Sequence, residues 1–322
     1  MRDLRRRGVC QLKAVSVIIP AHNAAATIKR TLASLRSEAD VIGEVLLVDD
    51  SSSDDTASVA EDAASRFALP LRVIQSACRD AGGARNLALS QANYPWIYMI
   101  DADDLHLEGG LRSLLSRTDL QAKADMVVGA YRRRTDGVDR QIKLPAGYTA
   151  GSIANASAYI GGHIRSIAVG SALVSRRAID ETRFPTGLAY DEDTLFWTRV
   201  LSNSRLAVIT QPVMVYLVSA ERSDDRFTVK PAKRFLEWRK ALHGLAECGI
   251  AKSTLKTREG LVALKIARVH YARGDLDTAA RFLAVAKAAP KVPSDVWRCM
   301  RYQFKLAARR RFSMPRVQLQ SA

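Results

Sequence analysis

The sequence predicts an α/β fold, and three observations carry that expectation. Short apolar runs that read as strands recur at 15–19, 45–48, 71–75 and 96–100. Stretches with helical periodicity separate them. Acids stand directly after the ends of two of the four runs, and an amide, Asn23, follows a third within four residues. Strands alternating with helices argue for a parallel sheet, and ligands of such sheets bind beyond the carboxyl ends of the strands.

The elements follow in order. VSVII at 15–19 stops at Pro20 and continues as Ala21, His22 and Asn23. A helix is expected over roughly 25–36, where Ile28, Leu32 and Leu35 share one face. VLLV at 45–48 runs into Asp49 and Asp50, and the hydroxyl- and acid-rich loop 51–55 is suited to capping a helix that reaches about Phe67. A third strand near 71–75 leads to Gly82-Gly83-Ala84-Arg85-Asn86, two flexible glycines opening another helical stretch. The fourth strand, 96–100, ends in Asp101, Asp103 and Asp104.

That last run, WIYMIDADDL, is the most informative. Side chains alternate in an extended segment, so Asp101 and Asp103 are expected to point the same way. Acids so close repel unless protons, cations or a metal compensate them. An oxygen-only cluster suits Mg2+ or Mn2+, commonly held between carboxylates and a substrate's phosphates; the structural alternative is a solvated acidic turn. Asn23, Asp49, Asp50, Asp101, Asp103 and Asp104 all follow the last apolar residue of a strand and should meet on one edge, the candidate active site.

These residues resemble a known family. VSVIIPAHN at 15–23, VLLVDDSSSDDT at 45–56, AGGARNLAL at 81–89 and IDADD at 100–104 are similar to the four N-terminal signatures of family 2 glycosyltransferases. AVGSALVSRRAI at 168–179 resembles the acceptor-side strand of that family, and YDEDTLFWTRVL at 190–201 its Glu-Asp motif opening a helix. The resemblance covers about residues 14–220. It implies a GT-A fold, with a mixed, mostly parallel central sheet flanked by helices and followed here by a C-terminal helical appendage. It also implies inverting transfer from a nucleotide sugar, a UDP-sugar by default, assisted by Mg2+ or Mn2+.

Residue by residue, the resemblance places the backbone around Pro20 and Asn23 against the nucleotide. Asp50 would accept from the base, and Arg85 would reach the base or the diphosphate with its fork of donors. Asp101 would hold the ribose and Asp103 the metal, with Asp104 in support. Asp193 would be the general base that takes the acceptor's proton, and His22 would be structural. The plain alternatives are a capping role for Asp50, a surface arginine at 85, and first-turn acids in a helix dipole for 191–193. One departure stands out. Relatives often carry a histidine near the metal after the Glu-Asp helix, whereas 212–225 contains none, leaving Ser219, Arg222 or Ser223 as substitutes. His163, beside two glycines, is expected in a loop, with acceptor contact as the functional alternative.

Composition fits this reading. The 322 residues, 48% hydrophobic and 25% charged, are ordinary for a folded protein. Four cysteines show no metal or disulfide spacing, no run is long enough to span a membrane, and the start lacks a signal-peptide core. The expected location is cytoplasmic. The net charge of +16 is unevenly placed: residues 1–220 hold 26 basic and 24 acidic side chains, residues 221–322 hold 23 and 9. The expected organisation is a basic extension (1–13), a nucleotide-sugar and acceptor catalytic domain (14–220) and a basic helical region (221–322). Helices are expected near 231–247, 255–272, 275–288 and 294–311, the middle pair resembling one tetratricopeptide-like hairpin.

In the last helix Trp297, Met300, Phe304 and Ala307 share a face among Arg298, Arg301, Lys305 and Arg309–Arg311. Such a helix either lies in an anionic membrane interface or packs on the catalytic domain. The partners expected are a nucleotide sugar, a saccharide acceptor on a lipid carrier and the inner membrane face, with no specific nucleic acid, since basic excess alone is only an electrostatic footprint. The alternatives are an inactive GT-A scaffold and a basic nucleic-acid- or membrane-surface-binding protein. Retention of Asp103 and Asp193 argues against the scaffold.

Overall fold

The structure, a computed structural model, describes residues 15–118, 123–164, 167–218, 225–289 and 293–313. The chain divides into two compact units, 1–187 with 191–222 and 188–190 with 223–322.

The first unit alternates as its apolar runs dictate: β1 (Val15–Ala21), α1 (Ile28–Leu35), β2 (Ile42–Asp50), α2 (Thr56–Phe67), β3 (Leu71–Ser76), α3 (Ala81–Gln91) and β4 (Trp96–Met99). Then come β5 (Leu105–His106), α4 (Gly110–Leu115), β6 (Met126–Thr135), β7 (Val138–Asp139) and α5 (Ser152–Ile160). β8 (Ala172–Ser175), α6 (Arg176–Ile179), α7 (Glu192–Ser202) and β9 (Leu206–Val218) complete it. Among the described residues one mixed sheet has the order β3-β2-β1-β4-β8-β6-β9-β5, with β7 on β6. β3, β2, β1 and β4 are mutually parallel. β4 meets β8 antiparallel, β8 meets β6 antiparallel, and β6 meets β9 parallel. The parallel run is thus the N-terminal half, which carries the strand-end acids.

A strand with parallel neighbours on both sides is buried on both faces and reads as a continuous apolar run. β1 obeys this rule: Val15, Val17, Ile18 and Ile19 are fully buried. Pro20 lacks an N–H, which is tolerated where pairing is incomplete. The β4 ladder reaches only to Ile18, so Pro20 lies past it, paired with β2 alone. α1 buries Ile28, Leu32 and Leu35, the face read from spacing.

Two local expectations are corrected. The fourth strand ends at Met99 rather than Ile100, and 101–104 is a turn in which the Asp104 N–H donates to the Asp101 carbonyl at 3.1 Å. The acids therefore converge by turning, not by strand alternation. Gly82 and Gly83 sit in the first turn of α3 rather than in a flexible loop. A Cβ on Gly82 would lie 3.2 Å from Phe184 Cβ, and one on Gly83 3.0 Å from Cys78 Cβ. Close packing, not mobility, is what these glycines permit.

The second unit is helical: α8 (Asp225–Thr228), α9 (Pro231–His243), α10 (Lys252–Arg273), α11 (Leu276–Ala288) and α12 (Pro293–Ser313). Its core includes a ring cluster in which Tyr190 stacks on Phe227 at 5.0 Å and Trp238 lies 5.4 Å from Phe235. α10 and α11 form the expected hairpin. Gly274 caps α10 with φ +85°, and Asp275 caps α11 by accepting from Thr278 N at 3.0 Å. No helix among the described residues is long and apolar enough to cross a membrane.

Candidate active site

At the carboxyl ends of β1, β2 and β4 the sheet opens into a cleft of about 1120 Å³. Pro20, Asn23, Asp50, Arg85, Asp101 and Asp103 all line it. The structure therefore brings together six candidates spread over more than eighty residues of sequence. Asp104 stands beside the cleft within the acid cluster, and Asp193 lies off its lining.

The two loops on the β1 and β2 side are tied to each other. Asn23 adopts φ +51° and accepts through Oδ1 from Ser53 N at 2.8 Å, while its own N–H donates to Ser52 Oγ at 2.9 Å. His22 Nδ1 donates to the Asp50 carbonyl at 2.8 Å. Asp50 itself accepts from Ser76 Oγ (3.1 Å), Arg79 N (2.9 Å) and Asp80 N (2.8 Å). Burial raises its pKa, but these donors outweigh that effect and hold the carboxylate below its usual range. Asp50 thus shapes the loop at 79–80. Each carboxylate oxygen offers about two acceptor sites, so Oδ2, which these bonds engage once, can still receive a donor from the cleft.

Arg85 is the centre of charge. Its side chain is only 5% exposed; Nη2 donates to Asp101 Oδ1 at 2.6 Å, and Nη1 lies 3.7 Å from Glu192 Oε1. The Phe184 ring packs 5.2 Å from the guanidinium carbon. Burial works against its charge, but Asp101 first, then Glu192 and Asp193, more than offset it. Nε and Nη1 are nevertheless buried without a hydrogen-bond partner among the described residues. Buried donors left unmatched are uncommon and call for an explanation.

Asp101, Asp103 and Asp104 each present a carboxylate oxygen within 4.8 Å of the others. Three hard oxygen donors in that space fit Mg2+ or Mn2+. Their engagements differ. Asp101 is held by Arg85. Asp104 is 2% exposed, and its Oδ1 accepts from Leu217 N at 2.8 Å. Asp103 is the exposed member and faces the cleft.

Helix α7 begins at Glu192, preceded by Asp191 at φ +64°. Its inner face, with Leu195, Phe196, Trp197, Val200 and Leu201, is buried, and Phe196 stacks on Phe184 at 3.8 Å, which fixes where the first turn points. Asp193 Oδ1 accepts from Thr194 N at 2.7 Å. Glu192 carries more of the electrostatics than the sequence disclosed. Burial, followed by the charge of Asp193, pushes its carboxyl up to about 7, with Arg85 opposing. In the sequence it is only half of a dipeptide motif; nothing local marks a glutamate for pairing with an arginine more than a hundred positions earlier. Ser219, Arg222 and Ser223, the proposed stand-ins for the absent histidine, lie outside the described residues. His163 follows α5 in a loop, exposed, with its N–H donating to the Ala158 carbonyl at 2.9 Å.

Comparison with known proteins agrees with this geometry. Residues 16–183 match the model of the family described as glycosyl transferase family 2. The succinoglycan biosynthesis protein ExoU of Rhizobium meliloti is 33% identical over 201 residues, 59% of this chain and 57% of that protein. The chain therefore spans little more than half the length of that relative. A UDP-Glc:alpha-D-GlcNAc-diphosphoundecaprenol beta-1,3-glucosyltransferase of Escherichia coli, WfgD, is 25% identical over 199 residues, covering 61% of this chain and 72% of that protein. Among solved structures, TarS 1–349 of S. aureus in complex with UDP-GlcNAc superposes with a TM-score of 0.60 at 19% identity, covering 85% of this chain and 81% of that one. The mannosyltransferase PcManGT of Pyrobaculum calidifontis, in complex with GDP-Man and Mn2+, gives 0.57 at 21% identity over 95% and 82%. These structures share the GT-A fold. With its family match covering more than half its length and the strand-end residues of that match gathered on one cleft, the chain belongs to glycosyl transferase family 2.

Proposed function

We propose that the protein transfers a sugar from a nucleotide-sugar donor, a UDP-hexose, to a saccharide acceptor on a lipid carrier, with inversion in a single displacement. It would do so at the cytoplasmic face of the membrane, in the assembly of a bacterial surface polysaccharide. The observation that supports this reading best is the cleft itself: Asp50, buried Arg85, Asp101 and Asp103 line one cavity beyond the parallel strands.

In this reading Pro20, Asn23 and Asp50 hold the nucleotide, Asp50 through the open acceptor site on Oδ2. Arg85, which lines the cleft, keeps Asp101 in place and would lend its positive charge to the donor's diphosphate. Asp103, with Asp104 and Asp101, would hold a divalent cation, Mg2+ or Mn2+; when bound there, it offsets the charge that builds on the departing diphosphate. Asp193 accepts the proton of the attacking acceptor hydroxyl on a carboxylate oxygen. The bond from Thr194 N fixes its orientation for that role. Attack from the acceptor side then inverts the anomeric centre. Relatives support the pathway: one is named for succinoglycan biosynthesis, another for a diphosphoundecaprenol-linked acceptor.

The test is a binding and hydrolysis screen over UDP- and GDP-sugars, with and without Mn2+. Saturable binding of a UDP-hexose that requires Mn2+ is expected. Absence of binding to every nucleotide sugar with metal present would overturn the reading.

A further inference from the structure

Helix α12 has two faces of different fate. Cys299 and Leu306, 4% and 5% exposed, are buried where the helix packs on α10 and α11. Trp297, Met300 and Phe304 stand on the other side, 63%, 51% and 69% exposed. Spacings of three and four residues align these three side chains in one stripe. The side chains that hold the helix in its own unit are therefore not those of the apolar stripe.

Cations flank the stripe. Arg301 lies one position around the helix from it, with its guanidinium carbon 5.6 Å from the Trp297 ring, and Lys305 and Arg298 follow on the same side. The residues from 221 onward carry 23 basic and 9 acidic side chains, so the stripe sits in a strongly positive region. Isolated exposed apolar residues are unremarkable, but a contiguous patch rimmed by charge marks an interaction surface. A tryptophan and a phenylalanine beside arginine and lysine match the layering of a bilayer interface, where rings enter the acyl boundary and cations meet phosphates. A nucleic-acid backbone would engage the cations but would leave Met300 in water.

We propose that this face of α12 is a docking surface for an anionic lipid bilayer, with Trp297, Met300 and Phe304 inserted and Arg298, Arg301 and Lys305 against the headgroups. The inference does not depend on which sugar the protein transfers, nor on whether it transfers one.

The experiment uses the full chain with vesicles of phosphatidylcholine alone or containing a third phosphatidylglycerol, read by cosedimentation and by quenching of tryptophan emission with bromine-labelled acyl chains. Partitioning to the phosphatidylglycerol vesicles is expected, with quenching that disappears in Trp297→Phe. Arg301→Ser with Lys305→Ser should weaken partitioning by about 30-fold, about fivefold for each cation removed. Trp297→Ser with Phe304→Ser should abolish it, and because these residues are exposed, the melting temperature should not fall. Equal partitioning of the serine variants, or no association of the wild type with anionic vesicles, would overturn the proposal. So would a self-associated wild type that the serine variants render monomeric without any vesicle binding, or association with RNA in place of vesicles at the same salt.

Discussion

Replacing Glu192 by glutamine should make the protein more stable at alkaline pH. The carboxyl, a quarter exposed beside Arg85, is lifted from an ordinary 4.5 to about 7 by burial and by the charge of Asp193. The folded protein thus holds this proton more tightly than the unfolded chain. The stabilisation is present in full below 4.5 and is lost as pH rises through about 7. A difference of that size corresponds to roughly 3 kcal/mol. Partial exposure lets water share the charge, leaving about 2 kcal/mol. Glutamine keeps the neutral form at every pH, so the variant should draw ahead of the wild type as pH increases. At about 2–4 °C per kcal/mol for a unit of this size, the gap in melting temperature should widen by about 4–8 °C between pH 5 and pH 8. Scanning calorimetry of metal-free protein measures it directly. Parallel melting curves across that range would refute the placement of a proton on Glu192.

Three further outcomes are expected. Asp103→Asn should weaken Mn2+ binding by more than about 100-fold, beyond the loss usual for an outer-shell change, as measured by titration calorimetry in the presence of UDP; retention of affinity would remove Asp103 as principal ligand. Asp193→Asn should leave the dissociation constant for the nucleotide sugar unchanged while lowering turnover roughly 100- to 10,000-fold, and near-normal turnover would dismiss it as the base. Asp125 is pulled down to about 2, chiefly by hydrogen bonding from Arg205, with Arg177 assisting against burial. Its stabilisation is complete above 3.8 and is lost as pH falls through about 2. Both arginines are more than half exposed, so Asp125→Asn should cost only about 1–2 kcal/mol in urea unfolding at pH 7, and the deficit should shrink below pH 3.

The strand ends were legible in the sequence because parallel strands are apolar throughout and change character abruptly where they leave the sheet. That contrast located Asn23, Asp50, Asp101 and Asp103, and the open crevice at those ends made them neighbours. What depends on turning or on distant partners was not legible. Alternation along a strand accounted wrongly for the acids because Asp104 closes a turn onto Asp101. The glycines at 82 and 83 looked like freedom of movement because the packing of Phe184 and Cys78 against them has no local signature. Nothing in the sequence around Asp50 announces that three donors from 76–80 hold its carboxylate. For α12, periodicity established that the helix has an apolar stripe, but a stripe carries no label saying whether protein covers it; only the burial of Cys299 and Leu306 on the opposite side decides that.

The acid-bearing turn is braced from two directions. Thr31 Oγ1 reaches both the Ala102 and Asp104 carbonyls at 2.9 Å, the Ser34 hydroxyl receives the His106 N–H at 3.0 Å, and Leu217 N binds the Asp104 carboxylate. Folding, not ligand arrival, therefore does the work of gathering mutually repelling carboxylates. A cation entering such a place has little chain to immobilise, so its affinity reflects coordination and electrostatics with a small entropic deduction. Discrimination among divalent ions would then follow from ionic radius and hydration, because a turn held this way cannot readily resize itself to suit a larger guest.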